Sequence, residues 1–429
     1  MKHSIRYICL TFLCIFFIPS PAQITLDYCL AKSEENYPLI HKYGIVEKMS
    51  ALELSDINKT WLPNASVYAQ GSLQNAVPAF PDALQEMISQ LGQSMQGMGK
   101  AQYKIGVDVN QTLWDGGMSR AHRETVRAQQ AEQQAALDVE MYAVRDRVEN
   151  LFFGILLIDE QIRQTQSTIG LLDSNLEQMQ ALFRHGAAMQ SDVDMVEAQK
   201  LTVKQQLASA KGNAQRLRQM LGIFIGESAD SAVLVKPDGA MPENLTSDRP
   251  ELHLFDARKQ SNNSRLAAVN ASLMPRFGVY VSAYYGYPGF DYFSAMRSRD
   301  LSFNVMAGLK VSWNISSLYH RKNDTSRIHL SNRNVDADRD RFLFESRLAT
   351  TSQLDEIATM REITAEDDRI SRLRANVRIA AESQLKNGVI DATALLAKIN
   401  DENQAKLAAA YHETELLRRI YQLKNTLNR

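Results

Sequence analysis

The sequence predicts a mainly α-helical fold that also contains two pairs of β-strands and is built from two tandem repeats. Three observations support this fold class. Proline is absent between Pro81 and Pro237 and after Pro288, and Gly388 is the only glycine after Gly308, so long stretches contain no helix breaker. Four other segments alternate strictly between apolar and polar residues, as half-buried strands do. A glycine motif also recurs along the chain at a fixed offset, which indicates a duplication.

The N-terminus has the pattern of a secretory signal peptide. Two basic residues precede an apolar run at residues 7–18, and the sequence SPA follows at 20–22. We therefore expect residues 1–22 to be a signal peptide that is cleaved on export. A retained membrane anchor is the alternative, although an apolar run of about a dozen residues is too short to span a bilayer as a helix. Cys9 and Cys14 lie inside this segment, which leaves Cys29 without a disulfide partner.

Composition and motifs argue against several classes of function. The formal net charge of −1 provides no field for nucleic acid, so no nucleic-acid partner is expected. The eight histidines form no pair at metal-ligand spacing, and no nucleophile elbow or other catalytic signature is present. We expect no enzyme activity, metal site or cofactor. Met87, Met95 and Met98 could bind Cu(I), but methionine more often fills an amphipathic loop or lid.

The segments without breakers predict long helices, because they are rich in strong helix formers. Their apolar residues recur in steps of three and four, which is typical of a coiled-coil-like seam. Such seams contain Val144, Val148, Leu151 and Ile155, and later Ile370, Leu373 and Val377. A helix over residues 118–183 would be roughly 100 Å long, which favours an elongated structure. A soluble helical bundle would have the same pattern.

The four alternating segments have the length and the two unlike faces of membrane-spanning strands. We expect these strands at about 62–75, 102–114, 274–286 and 302–315. One apolar face and one polar face over about ten residues is the pattern of an outer-membrane strand. A soluble antiparallel sheet that packs on one face would alternate in the same way.

Aromatic residues near the strand ends favour the membrane interpretation, because such residues form girdles at both bilayer interfaces. These residues are Trp114, Tyr284, Tyr285 and Trp313. Four strands cannot close, and unpaired backbone groups in lipid cost several kcal/mol each, so two, three or four chains would have to share one barrel. The polar faces, with Lys104, Asp108 and Lys310, would then line a wet pore, and the apolar faces would contact outer-membrane lipid.

The two halves of the chain are similar. The sequence LFRHGAAMQSDV at 182–193 aligns with QLKNGVIDATAL at 384–395, so that Gly186 and Gly388 lie 202 residues apart. Each half reads as a helix, a pair of strands, a long helix, a glycine turn and a returning helix. The expected repeats are residues 23–236, with a helical hairpin turning at 184–191, and residues 237–429, with a hairpin turning at 386–391.

In these features the sequence resembles the TolC family of outer-membrane efflux and secretion channels. The resemblance rests on the duplicated layout, the strand end VNQTLWDGG at 109–117, and the turn motif in which Asp192 follows Gly186 by six residues. It implies a homotrimer in the bacterial outer membrane. Three chains would form a 12-stranded β-barrel, four strands from each, continued by a long α-helical barrel in the periplasm.

The resemblance also implies the partners. A periplasmic adaptor protein, coupled to an inner-membrane pump, would dock at the helical tip and open its aperture. By the family pattern, Gly186 and Gly388 are the tip turns and Asp192 is the acidic position just inside the first turn. Arg184 and His185 are further candidates at this tip, and the alternative for His185 is an exposed turn residue without a functional contact. The acidic positions that often follow the second glycine are Ala394 and Ala397 here, so no cation-binding constriction is expected there. Asp391 is expected to cap a helix.

The expected function is therefore passive: the subunit would be a conduit for small molecules or drugs in a tripartite efflux system. Two alternatives remain open. The chain could form the outer-membrane exit of a type I protein secretion system, since the pump selects most of the substrate. It could instead be a periplasmic coiled-coil scaffold with a small soluble sheet.

Overall fold

The computed structural model describes residues 23–92 and 97–428. The expected signal peptide at 1–22 and Met95 lie outside the described residues. Long helices dominate the described chain, which also contains a four-stranded antiparallel sheet and a short parallel pair, β1 with β4. This architecture confirms the mainly helical fold class. Among the described residues, no helix has both the length and the apolar character that crossing a membrane requires.

The helices and strands follow each other as two similar series. The helices are α1 (Leu26–Asn36), α2 (Ile40–Lys59), α3 (Asp82–Gln90), α4 (Met118–Arg184), α5 (Gln190–Ile225), α6 (Pro250–Ala271), α7 (Tyr292–Arg297), α8 (Ser317–Lys386) and α9 (Ala392–Leu427). The strands are β1 (Gln23–Ile24), β2 (Asn64–Leu73), β3 (Ala101–Trp114), β4 (Val233–Leu234), β5 (Arg276–Tyr287) and β6 (Ser302–Ser312).

The chain divides into two compact units. The sheet unit consists of His41–Leu137 and Pro250–Arg341. The helical unit consists of Asp138–Arg249, Phe342–Arg429 and Met1–Ile40, as far as these ranges are described.

The sheet unit contains one sheet with the order β2-β3-β5-β6, in which each strand is antiparallel to its neighbours. We call the end with the β2–β3 and β5–β6 connections its loop end and the opposite end its helix end. The strand boundaries differ by no more than about three residues from the ranges expected from alternation, because the period-2 pattern ends where each strand ends. The loop-end connections contain the short helices α3 and α7. Met87 on α3 is exposed, whereas Met98 in the same connection is buried.

The apolar face of this sheet is uncovered within its unit. Leu73 is 83% exposed and Leu309 is 81% exposed. No Asp, Glu, Lys or Arg occurs on this face of the four strands. Exposed apolar patches of this extent mark surfaces that meet a partner or a membrane.

The helical unit contains the larger part of two long hairpins, formed by α4 with α5 and by α8 with α9. The returning helices α5 and α9 have 36 residues each. The seam expected at Val144, Val148, Leu151 and Ile155 is buried in a core with α1 and α5. The seam expected on α8 is different, because Ile370, Leu373 and Val377 are all exposed. Their expected burial is wrong for a single chain, since no element among the described residues covers this stripe.

Candidate functional site

The two hairpin turns of the helical unit have the same backbone geometry. Gly186 has φ +74° and Gly388 has φ +70°, a left-handed conformation that costs L residues with a Cβ roughly 1–2 kcal/mol. In the first turn, the Ala187 N–H donates to the Leu182 carbonyl at 2.9 Å. In the second turn, the Val389 N–H donates to the Gln384 carbonyl at 2.9 Å. Both helices thus end in a Schellman-type cap, and the glycines are required for conformation.

An aspartate starts each returning helix, but the two do so differently. Asp192 lies inside α5 and its carboxylate accepts from the Met189 N–H at 2.9 Å. Asp391 precedes α9 and accepts from the Ala394 N–H at 2.8 Å. A negative charge at a helix N-terminus satisfies free N–H groups and complements the helix dipole. The expected helix-capping role of Asp391 is confirmed, and Asp192 has a structural role in addition to its proposed one.

The surface formed by the two turns combines cations with exposed apolar side chains. Arg184, His185 and the two turn glycines are exposed. Beside them, Met189 is 72% exposed and Val389 is 69% exposed. We call these residues, together with Phe183, the tip surface. Sequence reasoning missed Met189 and Val389, although both are apolar residues close to a turn glycine, which is the signal that could have identified them.

One buried cluster brings the two turns together. Leu182 and Ala188 of the first hairpin and Ile390 of the second pack against the same core, which includes Leu385 and Leu395. The Thr393 hydroxyl lies 3.3 Å from the Met195 sulfur. The tip surface is therefore a single feature to which both halves of the chain contribute.

An ion-pair network joins α8 to α9 behind this surface. The buried carboxylate of Glu402 binds Arg378 of α8, and Lys406 lies 2.7 Å away on α9. Arg378 also binds Glu382 at 2.6 Å. Burial alone would raise the pKa of Glu402, but the hydrogen bonds from Lys406 and Arg378 hold it below its ordinary value. These ion pairs connect the two helices of the second hairpin.

The aromatic residues of the sheet separate into two ends and two faces. At the helix end, the centroids of the Trp114 and Phe277 rings lie 5.6 Å apart. The Trp313 indole N–H donates to the Leu273 carbonyl at 2.9 Å. Tyr285 lies toward the loop end on the apolar face and is exposed. Tyr284 lies on the polar face, because consecutive strand residues point in opposite directions. The expectation that Tyr284 shares an outward girdle with Tyr285 is therefore wrong.

The polar face of the sheet forms two separate cavities. A cavity of about 360 Å³ lies at the loop end around Lys104, and we call it the Lys104 cavity. A second cavity of about 630 Å³ lies at the helix end, beside Arg276 and Lys310. Asp108 lies on the same face and accepts from the Ser282 hydroxyl at 2.6 Å. No group of histidine, cysteine and acidic side chains suited to a metal ion occurs among residues 23–92 and 97–428.

The sequence is similar to those of known outer-membrane proteins. Residues 60–226 match the model of a family described as outer membrane efflux protein. The multidrug resistance outer membrane protein MdtP of Shigella flexneri is 24% identical over 220 residues, which cover 48% of this chain and 43% of MdtP. MdtP of Escherichia coli O157:H7 is 25% identical over the same length. The chain thus spans less than half the length of these curated relatives.

Solved structures match over nearly the whole chain. The outer membrane protein VceC of Vibrio cholerae superposes with a TM-score of 0.65 at 10% identity, over 94% of this chain and 95% of VceC. The CmeC outer membrane channel of Campylobacter jejuni gives 0.64 at 13% identity, over 94% and 85%. The MtrE outer membrane channel of Neisseria gonorrhoeae gives 0.63 at 13% identity, over 94% and 88%. At these identities, the likeness establishes the fold.

Proposed function

We propose that this chain, which belongs to the outer membrane efflux protein family by its residues 60–226, is one subunit of a trimeric outer-membrane channel for efflux. The observation that carries the proposal is the four-stranded sheet, whose edge strands β2 and β6 have no partner in the described chain. A sheet with open edges and an uncharged, exposed apolar face is not stable alone in lipid or in water. It requires further copies.

The sheet is suited to closing through identical copies. Because the four strands alternate in direction, β2 and β6 run in opposite directions. The β6 strand of one chain can therefore form an antiparallel pair with β2 of the next. Three copies would give twelve strands, with the apolar faces in lipid and the polar faces around the lumen. Two or four copies would also give an even number, and the resemblance to the TolC family favours three.

The exposed stripe on α8 supports assembly independently of the strands. Ile370, Leu373 and Val377 recur at coiled-coil spacing and lack a partner within the described chain. On α5, Leu201 and Ile223 are exposed as well. A neighbouring copy that packs α5 beside α8 would cover both sets, as in knobs-into-holes packing. The seam expected from sequence would then form between chains.

In this proposal the helical unit lies in the periplasm and its tip surface receives an adaptor protein coupled to an inner-membrane pump. The exposed Met189 and Val389, bordered by Arg184 and His185, provide apolar anchors with a polar rim, the usual anatomy of a protein interface. The subunit itself would perform no catalysis, and opening would be a shift in population driven by the partners. Export of proteins in a type I system remains the alternative use of the same duct.

The first test is the native mass of the protein after extraction from outer membranes in mild detergent, corrected for the bound detergent. A mass of three chains is expected. A monomer in the detergent extract would refute the shared barrel. Recovery of the chain in the soluble periplasmic fraction would favour the coiled-coil scaffold instead.

Cysteine pairs test the strand arrangement directly. Cys29 is fully buried, and burial raises the pKa of its thiol, so it is unreactive. Variants that carry one cysteine in β2 and one in β6 should therefore give disulfide-linked chains only where the two positions face each other between copies. Cross-links that appear at every position, or at none, would contradict the β2–β6 pairing.

A further inference from the structure

We propose that the Lys104 cavity is a binding site for a small organic anion with an aromatic body, such as an aryl carboxylate or sulfonate. The inference rests on the proposed channel function, because the polar face of the sheet is the lumen wall only in a closed barrel. It adds a substrate class to that function. Each chain would contribute one such site close to the exit.

Lys104 lines the cavity, and two aromatic rings lie beside its ammonium group. The Lys104 ammonium lies 5.6 Å from the centroid of the Tyr68 ring and 5.4 Å from that of the Tyr284 ring. Ring faces carry negative quadrupole potential and stabilise a cation there. Within the described chain, no carboxylate forms an ion pair with Lys104 at 4.0 Å or less. The charge is positioned by the rings but not neutralised.

The only carboxylate on this face of the four strands is engaged elsewhere. Asp108 accepts a hydrogen bond from Ser282 at 2.6 Å. Arg276 and Lys310 lie on the same face, so the polar face of the four strands has three cations and one anion. A lumen wall with this balance concentrates anions, and Lys104 is the cation that also has aromatic walls around it.

The cavity walls suit a flat apolar body. Tyr284 and Phe290 meet edge to face, with centroids 5.4 Å apart and an interplanar angle of 85°. Met306 closes another side. The volume of about 360 Å³ is within the range of small-molecule sites, which combine apolar walls with a few polar groups. An aryl sulfonate would place its ring against these side chains and its oxygens on Lys104.

The two tyrosine rings are positioned by the strands. Gly106 pairs with Tyr68 on one side and Tyr284 on the other. A Cβ at Gly106 would lie 2.9 Å from the Tyr68 ring and 2.8 Å from the Tyr284 Cβ. Glycine therefore makes the space in which both side chains lie beside Lys104.

A buried tyrosine fixes the wall at the loop end. The Tyr287 hydroxyl accepts from the Gly99 N–H at 2.6 Å and donates to the Ala295 carbonyl at 2.9 Å. It thereby ties the β2–β3 connection to the β5–β6 connection. The Tyr284 hydroxyl donates to the Pro288 carbonyl at 3.1 Å. Walls that are already ordered reduce the entropic cost of binding.

The test measures binding of 2-naphthalenesulfonate by calorimetry to the full protein in lipid nanodiscs, with empty nanodiscs as the reference. Saturable binding with one site per chain is expected. Lys104→Gln should weaken binding about tenfold or more, because a charge-assisted contact is lost. Lys104→Arg should retain it. Lys310→Gln removes the same charge from the same face outside the cavity and should change affinity by less than about twofold.

Three results would overturn the site. They are the absence of saturable binding, equal weakening by Lys104→Gln and Lys310→Gln, and equally tight binding of the cation 2-naphthylmethylammonium. Tyr68→Leu is a second variant that keeps the charge and removes one ring, and it should also weaken binding. Native mass and ion conductance are measured on the same samples. A conducting trimer that does not bind the probe refutes this site alone, whereas a protein without trimer mass or conductance refutes the channel.

Discussion

Val107 is the position at which the proposed lipid-facing surface can be tested most directly. It lies near the middle of β3, where it pairs with Val67 of β2 and Ala283 of β5. Its side chain is on the apolar face and is 40% exposed. Replacing it with arginine would place a charge where the proposal puts the centre of the bilayer.

The expected cost follows from this depth. A Lys or Arg on the lipid face of an outer-membrane barrel costs about 2–4 kcal/mol near the midplane and about 0–1 kcal/mol near the interfaces. Val107 is central in a 14-residue strand, so the larger range applies. The equilibrium constant for folding of each chain should therefore fall roughly thirtyfold to a thousandfold.

The assay is urea unfolding of the protein in lipid vesicles, followed by tryptophan fluorescence. All three tryptophans, Trp61, Trp114 and Trp313, belong to the sheet unit, so the signal reports on the strands. Ser66→Arg is the matched control. Ser66 pairs with Asp108, the residue next to Val107, and both lie on the polar face at nearly the same depth in the sheet. Equal destabilisation by both variants, or none by Val107→Arg, would show that the faces are assigned wrongly.

Three further predictions concern the helical unit. Gly388→Val places a branched side chain at φ +70° and should abolish export without changing the trimer mass. Gly388→Asn should retain export, because asparagine tolerates this conformation. Equal export by both variants would exclude the turn from function. Burial raises the pKa of Glu149 to about 8 from an ordinary 4.5, against an opposing effect of Arg145. The folded state therefore holds this proton more tightly, so stability measured in urea should fall between pH 5 and pH 8 by about 1.4 kcal/mol per pH unit at most, and Glu149→Gln should remove that slope. Glu402→Ala leaves Arg378 partly unpaired and should cost about 3–5 kcal/mol. Asp324→Ala removes a half-buried carboxylate that pairs with the exposed Arg327 and should cost less than about 1 kcal/mol; similar losses would mean that the α8–α9 network is not stabilising.

Local conformation was predictable from the sequence because it depends on neighbouring residues. Alternation located all four long strands, since side chains in a strand point to opposite faces in turn. Gly186 and Gly388 indicated the hairpin turns, because the left-handed conformation favours glycine. The cap by Asp391 followed from its place before an apolar helical segment.

Predictions about packing were less successful where the partner is distant in the chain. The stripe Ile370, Leu373 and Val377 has the spacing of a buried seam, yet spacing does not say whether the partner is in the same chain. Tyr284 was assigned to the girdle from its place near a strand end. Side chains alternate between the two faces of a strand, however, and this alternation puts Tyr284 on the polar face. The connections that contain α3 and α7 read as loops, because helices of nine and six residues carry too little periodicity to recognise.

The sequence by itself determined the elements of this protein: two pairs of amphipathic strands, two long helical hairpins with glycine turns, and their duplication. Periodicity and backbone preference are properties of adjacent residues, so they can be read along the chain. Only the tertiary structure decided which side chains meet. The contact of Lys104 with Tyr284 joins residues of β3 and β5, and the pair of Arg378 with Glu402 joins α8 to α9. Such contacts depend on strand register and helix packing, which bring together residues that no local pattern relates.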